Sequence, residues 1–271
     1  MATSYTPMLE QYRDVKSRHS QEILFFRLGD FYEMFFEDAE VASRELEITL
    51  TSREGGQGKR IPMCGVPYHA AENYLARLVQ KGYKVAICEQ VEDPKQVKGL
   101  VRREVVRIVT PGTFLGEVSL SEKSNHYLAL VREGENGRVY LAAADLSTGE
   151  CFWSAIDGEG EKPLLWDALY RLQPKEIIVS GHLSYWTELD EFSQDRLQCR
   201  PEQRAFAQEA VSFVKQHFAP PEQPSDKEAM QTVEHLLCYL HDTVKTDLAH
   251  INQLAEQTQQ QYLLLDASTL R

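Results

Sequence analysis

Within the run 23–39 two side chains of unlike chemistry stand two positions apart, the ring of Phe31 and the carboxylate of Glu33. On an extended backbone they share one side while Tyr32 takes the other, because side chains alternate along a strand. The ring can stack on a flat partner and the carboxylate can accept a hydrogen bond. Six aromatics (Phe25, Phe26, Phe31, Tyr32, Phe35 and Phe36) fall within twelve positions, and composition alone sends all six to a core. Gly29-Asp30 argues for an exception. Both residue types are depleted in strands, so they lead poorly into a central one. Phe31, directly after them, is the ring expected on display.

Cations form a second group. Arg53, Lys59 and Arg60 flank the flexible loop Gly55-Gly56-Gln57-Gly58. Lys95, Lys98, Arg102, Arg103 and Arg107 crowd thirteen residues in which Glu104 is the sole acid. Such a set can track a phosphate backbone; a charged strand edge that resists pairing is an equal reading of it. The glycine loop is no P-loop, because Gly-Gly-Gln-Gly-Lys-Arg lacks the four-residue spacer and the Ser or Thr after Lys. Further along, Asp145 at a strand end has the chemistry of a metal-binding carboxylate. A two-metal nuclease needs several converging carboxylates, however, and an Asp in a turn ordinarily bonds its own backbone. His235, Cys238 and His241 lie near one helix face at spacings of three. With no fourth ligand evident, they read as packed or rim residues.

These residues need elements to hold them. Thr6-Pro7 opens a helix, with Thr as N-cap and Pro at its first position. Its stripe is Met8, Tyr12 and Val15, and it fades near Arg18-His19. Residues 23–26 form a buried strand. Glu37-Asp38 places acid at the start of a helix lined by Ala39, Ala42 and Leu46. Two prolines and a glycine make 61–69 an ordered turn rather than a strand interior. A helix over 70–81 buries Tyr74, Leu75, Leu78 and Val79 and stops at Gly82. Strands over 84–88 and 101–109 follow, and Thr110-Pro111-Gly112-Thr113 closes a first domain.

After a polar linker, 127–131 and 139–144 read as a hairpin around Glu-Gly-Glu-Asn-Gly, with a third strand over 150–155. Residues 163–172 have helical spacing, and the buried strand 177–179 that follows is expected to run parallel to a neighbour. Phe206, Ala210, Phe213, Val214 and His217 mark another helix, ended by Ala219-Pro220-Pro221. Ser225 with Glu228 reads as the capping box of the longest helix, striped by Ala229, Val233, Leu236, Leu237, Leu240 and Val244. Strands first and then alternating helices point to α/β layers.

A chain of 271 residues suffices for two domains with separate cores. Its net charge of −12 is unevenly placed: residues 1–115 hold 16 Lys and Arg against 16 Asp and Glu, and residues 116–271 hold 13 against 25. The first part can carry a basic face, while the second is a poor phosphate binder. Five cysteines without a CxxC pair suit free thiols in a reducing cytoplasm. Met1-Ala2-Thr3-Ser4 does not open a signal peptide, and no apolar run reaches membrane-spanning length, so no membrane association is expected.

Four blocks together resemble the bacterial MutS mismatch-repair family, in its order and spacing. They are Gly29-Asp30-Phe31-Tyr32-Glu33; Ile61-Pro62-Met63 with Gly65-Val66-Pro67-Tyr68-His69-Ala70; Ala86-Ile87-Cys88-Glu89-Gln90; and Arg107-Ile108-Val109-Thr110-Pro111-Gly112-Thr113. Cys64 stands where the family pattern suggests Ala, a small-for-small change. The resemblance implies an α+β first domain over 1–115, with a mixed sheet and flanking helices, whose Phe-x-Glu motif probes mispaired DNA. That motif falls on Phe31 and Glu33. It further implies a linker over 116–125, a ribonuclease H-like α/β connector over 126–255, and the start of a lever and clamp region over 256–271.

An aromatic inserted from the minor groove unstacks a base step and kinks the duplex, at a cost of roughly a few kcal/mol. A mispaired base has already lost part of its pairing, so it costs less to displace. Arg53, Lys59, Arg60, Lys98, Arg102, Arg103 and Arg107 are the candidate contacts to the DNA backbone. The resemblance also implies a partner, MutL, a homodimer in the full-length protein, and a place at the nucleoid in the cytoplasm. No G-x-x-x-x-G-K-[ST] occurs, so the family's ATPase, with its ATP and Mg2+, is expected outside this chain, which reads as a fragment with no cofactor of its own and no catalysis. Two rivals remain: a metal-dependent nuclease using Asp145, and a protein-interaction module in which Phe31 is core.

Overall fold

The computed structural model describes residues 5–92, 99–116, 125–135, 137–156, 161–206, 213–219 and 222–257. The chain divides into two compact units, centred on Met1–Leu120 and on Ser121–Asp242 with Thr246–Arg271.

The first unit is built on a six-stranded mixed sheet. Its elements in order are α1 (Pro7–Arg18), β1 (Ile23–Leu28), β2 (Phe31–Phe35), α2 (Phe36–Leu46), β3 (Thr51–Glu54), β4 (Arg60–Pro67), α3 (Ala71–Gln80), β5 (Val85–Gln90) and β6 (Arg103–Val109). The strands lie in the order β3-β4-β2-β1-β5-β6, with β1 and β5 parallel and the other pairs antiparallel. Alternation along the strands supplies two apolar faces. Leu24, Phe26, Phe35, Ile61 and Cys88 pack with Leu9, Tyr12 and Val15 of α1. Phe25, Tyr32, Met34, Val66 and Ile87 pack on the other face with Ala39 and Leu46 of α2 and Leu75 and Leu78 of α3. The inner residues of α2 are those expected. In α1, Leu9 is buried where Met8 was expected, and in α3 Tyr74 is only half-buried. Thr6 is the N-cap residue of α1, but its hydroxyl makes no capping bond.

Two expectations about strands are corrected. Residues 60–67 form a strand with a neighbour on each side, not a turn. Its prolines are tolerated because each stands where β4 is paired on one side alone. Pro62 lies beyond the last β2 partner, Met63, and Pro67 lies beyond the β3 register, which stops at Met63. Likewise Gly29-Asp30 does not keep β2 from the sheet interior. It is the two-residue turn of the β1–β2 hairpin, with a positive φ of 57° at Gly29, where such a turn needs glycine.

The second unit carries β7 (Tyr127–Glu133), β8 (Val139–Asp145), β9 (Glu150–Ile156), α4 (Glu161–Leu172), β10 (Glu176–Ser180), α5 (Trp186–Phe192), β11 (Glu202–Arg204), α6 (Phe213–His217), α7 (Lys227–Val244) and β12 (Ala255–Glu256). Its sheet runs β11-β10-β7-β8-β9-β12. β7, β8 and β9 form an antiparallel meander, β10 and β11 continue it in parallel beside β7, and β12 pairs in parallel with β9. This is the expected α/β layering, and the parallel placement of β10 after a helix is as read from the sequence. The segments α5, β11 and β12 were not foreseen. The cap of α7 is Asp226 rather than Ser225. Its Oδ1 accepts the Glu228 amide at 2.8 Å, while the Glu228 carboxylate turns away to pair with Arg132. Linker residues 117–124, the stretch 207–212 and Tyr262–Arg271 lie outside the described residues.

Candidate nucleic-acid interface

Phe31, Glu33 and Phe35 share one face of β2, and that face passes from solvent to core within five residues. Phe35 is fully buried beneath α1, Glu33 is half-buried, and Phe31 is 47 % exposed. Exposure of the ring does not come from a loose backbone. Phe31 is paired with Leu28 on one side and with Pro67 on the other. The carbonyls of the preceding turn are both engaged: Arg27 Nε donates to the Gly29 carbonyl at 2.6 Å, and the Tyr68 amide donates to that of Asp30 at 2.9 Å. The Phe31 ring therefore stands on a backbone held from both sides.

Arg27 and Tyr68 are site residues that the sequence reading missed. The Arg27 guanidinium lies 3.7 Å from the centroid of the Tyr68 ring, which is itself 45 % exposed and follows directly on Pro67, the partner of Phe31. Arg27 Nη1 also stands 3.8 Å from Glu89, whose carboxylate accepts the Tyr32 hydroxyl. Burial, aided by that bond, pushes the Tyr32 hydroxyl up to about 12, so it remains a proton donor to Glu89. The signal for Tyr68 lay in its position after Pro67, but only the fold places it beside Phe31.

Glu33 has a partner. Arg53, on the edge strand β3, reaches diagonally past β4 and donates from Nη1 to Glu33 Oε2 at 2.7 Å. Gly65 is the residue opposite Glu33 on β4, and a Cβ there would lie 3.3 Å from the Tyr32 carbonyl and 3.5 Å from Glu33 Cγ. Burial raises the Glu33 pKa above the ordinary carboxylate value, and the Arg53 charge opposes that rise.

The other cations part company. Arg103 is corrected: it is a buried structural residue, not a phosphate-facing one. Its Nε donates to the Arg27 carbonyl at 2.7 Å and its Nη1 to Gln11 Oε1 and the Val101 carbonyl, both at 2.9 Å. The guanidinium also lies 5.0 Å from the Phe26 ring centroid. Arg102 is exposed and 3.5 Å from Glu104, at the Phe31 end of the sheet by register, and Arg107 is half-exposed. Lys59 and Arg60 are exposed at the opposite end of β4 from Pro67, with Arg60 bonded to Ser52. Lys95 and Lys98 lie outside the described residues. The loop 55–58 joins two antiparallel strands rather than leading from a strand to a helix, and it closes on itself through Gly55 N to Lys59 O at 2.6 Å. It does not fit a nucleotide phosphate.

In the second unit the candidate chemistry is closed off. Asp145 is fully buried: its Oδ1 accepts the Ser147 amide at 2.7 Å and hydroxyl at 2.6 Å, and its Oδ2 accepts the His126 amide at 2.9 Å. His235 Nδ1 is 2.7 Å from Ser180 Oγ, and its ring stacks on Phe206 at 4.6 Å. Among the described residues no three His, Cys, Asp or Glu side chains are grouped to hold a metal ion. No helix there is long and apolar enough to cross a membrane.

A mixed sheet that presents a ring, a carboxylate and a guanidinium together, followed by an α/β unit, defines a two-domain protein with a presenting surface on its first domain. The family model described as MutS domain I matches residues 6–118, and that of MutS domain II matches residues 125–252. The chain belongs to the MutS family. It is 42 % identical to the DNA mismatch repair protein MutS of Desulforamulus reducens over 98 % of its own length and 31 % of that relative. For the MutS of Ruminiclostridium cellulolyticum the identity is 44 %, over 98 % of this chain and 31 % of the relative. For that of Bacillus cytotoxicus it is 45 %, over 98 % and 29 %. The chain thus spans about a third of the length of these curated relatives.

Proposed function

We propose that this chain recognises mispaired or unpaired bases in duplex DNA, by inserting Phe31 from the minor groove and offering Glu33 to the displaced base. The observation that carries this reading is the exposed Phe31 ring on a backbone fixed by two strands and two carbonyl bonds. A fixed wedge loses little conformational freedom on insertion, so the cost of binding is mainly the deformation of the DNA. That deformation is cheaper where pairing is already lost, which makes the contact selective without reading a sequence. Glu33 contributes differently. A carboxylate between two phosphate rows is repelled by any duplex, and a displaced base edge offsets that repulsion through a hydrogen bond.

Around the wedge, Arg102 contacts phosphates at the Phe31 end of the sheet, Lys59, Arg60 and Arg107 reach the backbone further away, and Lys98 is a further backbone contact. The acidic second unit repels DNA, couples the first to the clamp and ATPase of a longer protein, and receives MutL. That longer protein acts as a homodimer, binds ATP and Mg2+ outside this chain, and works at the nucleoid in the cytoplasm. The present chain carries out no catalysis.

Equilibrium binding of a full-length protein carrying this segment, to matched and mismatched duplexes at one salt concentration, tests the reading. Loss of the stacking surface in Phe31→Ala costs mismatch affinity about 5- to 150-fold, the range of base–aromatic stacking of roughly 1–3 kcal/mol, and leaves matched binding in place. Glu33→Ala raises matched affinity and changes mismatch affinity less. Unchanged mismatch affinity in Phe31→Ala would refute the wedge.

A further inference from the structure

Arg53 entered the sequence reading as one more cation for the phosphate backbone, yet its guanidinium is on the carboxylate nominated to meet the base. The pair is 2.7 Å long, with side-chain exposures of 43 % for Arg53 and 17 % for Glu33. The inner partner is therefore the acid, and the cation is the solvent-facing lid on it. Resting on the reading of Phe31 and Glu33 given above, we propose that Arg53 is a positioning residue that sets mismatch specificity by holding Glu33 back until a DNA phosphate competes for its guanidinium.

Three features support it. The reach is specific, because β3 and β2 are separated by β4 and the two residues stand opposite different β4 positions, Ile61 and Gly65. Arg53 must extend diagonally to meet Glu33, and few side chains have the length and the planar fork to do so. The strand between them is bare where it faces Glu33, since Gly65 has no Cβ to occupy the space beside the Glu33 stem. Finally, the pair is half-exposed, so each partner is weakly held and can be drawn off. Exposed ion pairs are worth roughly 0.2–1 kcal/mol, whereas a duplex presents a dense row of phosphates to a guanidinium.

The consequence is a coupling between two kinds of contact. While Arg53 is on Glu33, the carboxylate is neutralised and turned aside. When Arg53 moves to a phosphate, Glu33 is left unpaired in the groove. There it meets repulsion on paired DNA and a hydrogen-bonding partner on a displaced base. Base probing is in this way switched on by engagement of the backbone.

A double-mutant cycle in the full-length protein tests the coupling. On paired DNA the parent's Arg53 is shared between Glu33 and phosphate and so still screens the carboxylate. Arg53→Gln removes that screening, which weakens matched DNA more than mismatched DNA, where the displaced base takes up the carboxylate. The mismatch-to-matched ratio then widens by about two- to fivefold, the value of one half-exposed pair. In a Glu33→Ala background the same Arg53→Gln change lowers both affinities equally and leaves the ratio alone. Arg53→Lys, which retains charge but not the fork, restores the ratio only in part.

A second readout needs no DNA. The Glu33 carboxyl carbon, followed by NMR in this chain, titrates at higher pH in Arg53→Gln than in the parent, because burial then acts unopposed. A ratio shifted equally with and without Glu33, or a Glu33 titration unmoved by Arg53→Gln, overturns the proposal. If Glu33→Ala leaves DNA binding unaltered while the titration still responds to Arg53, the pair exists and the role given to Glu33 in recognition is what fails.

Discussion

Glu33 and Asp145 are both carboxylates on a strand of a six-stranded sheet, and both have the chemistry to act on something outside the chain. Their surroundings separate them. Glu33 keeps one ion pair to an exposed arginine and 17 % of its side chain in solvent. Asp145 has no exposure, and its oxygens are taken up by three donors from Ser147 and His126. The contrast extends through both units. At the Phe31 end of the first sheet Arg27, Arg102 and Tyr68 stand at the surface or close beneath it, and Arg53 reaches toward it from the far end of β3. In the second unit Glu234 caps the amides of Phe213 and Val214, and His235 is held between Ser180 and Phe206. A polar residue type thus says little about role until its donors and acceptors are counted. The first unit leaves capacity free at one end; the second closes its own backbone with it.

The largest expected effect breaks the closed side of this contrast. Asp145→Ala strips the buried acceptor from two part-buried backbone amides, those of Ser147 and His126, and a fully stranded amide costs roughly 1–3 kcal/mol. Urea denaturation followed in the second unit should show a loss of at most about 2–6 kcal/mol on that basis. The Phe31 unit and any mismatch preference should be untouched. Metal-dependent DNA cleavage abolished by Asp145→Asn would instead revive the nuclease rival.

A smaller effect follows from His235. Burial, with Arg132 nearby, lowers its pKa to about 4, well below its unfolded value of about 6.5. Between these values the unfolded chain binds the proton and the folded one does not, so the neutral ring's contribution is complete above pH 6.5. It is lost as pH falls toward 4, to a limit of about 3 kcal/mol. Denaturation midpoints at pH 7 and pH 5 should differ in the parent and much less in His235→Gln. A slope unchanged by that substitution would mean that other groups set it.

The smallest effect sharpens the open side. Arg102→Gln in the full-length protein should weaken matched and mismatched DNA alike and lower the salt slope by roughly one unit. Arg103→Gln, one residue on, should lower the stability of the first unit and leave that slope alone, because its guanidinium is already occupied by Arg27, Gln11 and Val101. An equal drop in slope for both would put Arg103 back among the phosphate contacts.

This pair of neighbouring arginines also marks where the sequence stopped being legible. A run of cations on an edge strand is plain to read, but alternation does not say which member turns inward. Arg103 turns in because β1 offers it a carbonyl and the Phe26 ring. The helices α1 and α2 were readable from their apolar stripes, and the meander of the second sheet from its turns. The strand β3 was not: only four residues long and almost wholly exposed, it has no apolar alternation to show. Missing β3 meant missing the neighbour of Glu33, since Arg53 sits on it. Exposure at Phe31 was foreseen from Gly29-Asp30, although the turn leads into an interior strand after all.

The pairing of β1 has a consequence in time. Phe26 meets Glu33 across a two-residue turn, whereas Ile23 meets Val85 about sixty residues later. Closing the longer loop costs about 2 kcal/mol more, by the logarithmic dependence of loop entropy on length. On a ribosome adding about 5–20 residues per second, the hairpin that bears Phe31 emerges several seconds before the strand that will flank it. For that interval β1 has a bare edge where Val85 to Cys88 will pair, and Phe25 lacks Leu75 and Leu78 of α3 and Ile87 of β5, while α1, already made, can cover Phe26 and Phe35. The nascent chain thus shows two rings of its probing hairpin until α3 and β5 arrive, and their arrival is what leaves only Phe31 of that pair in solvent.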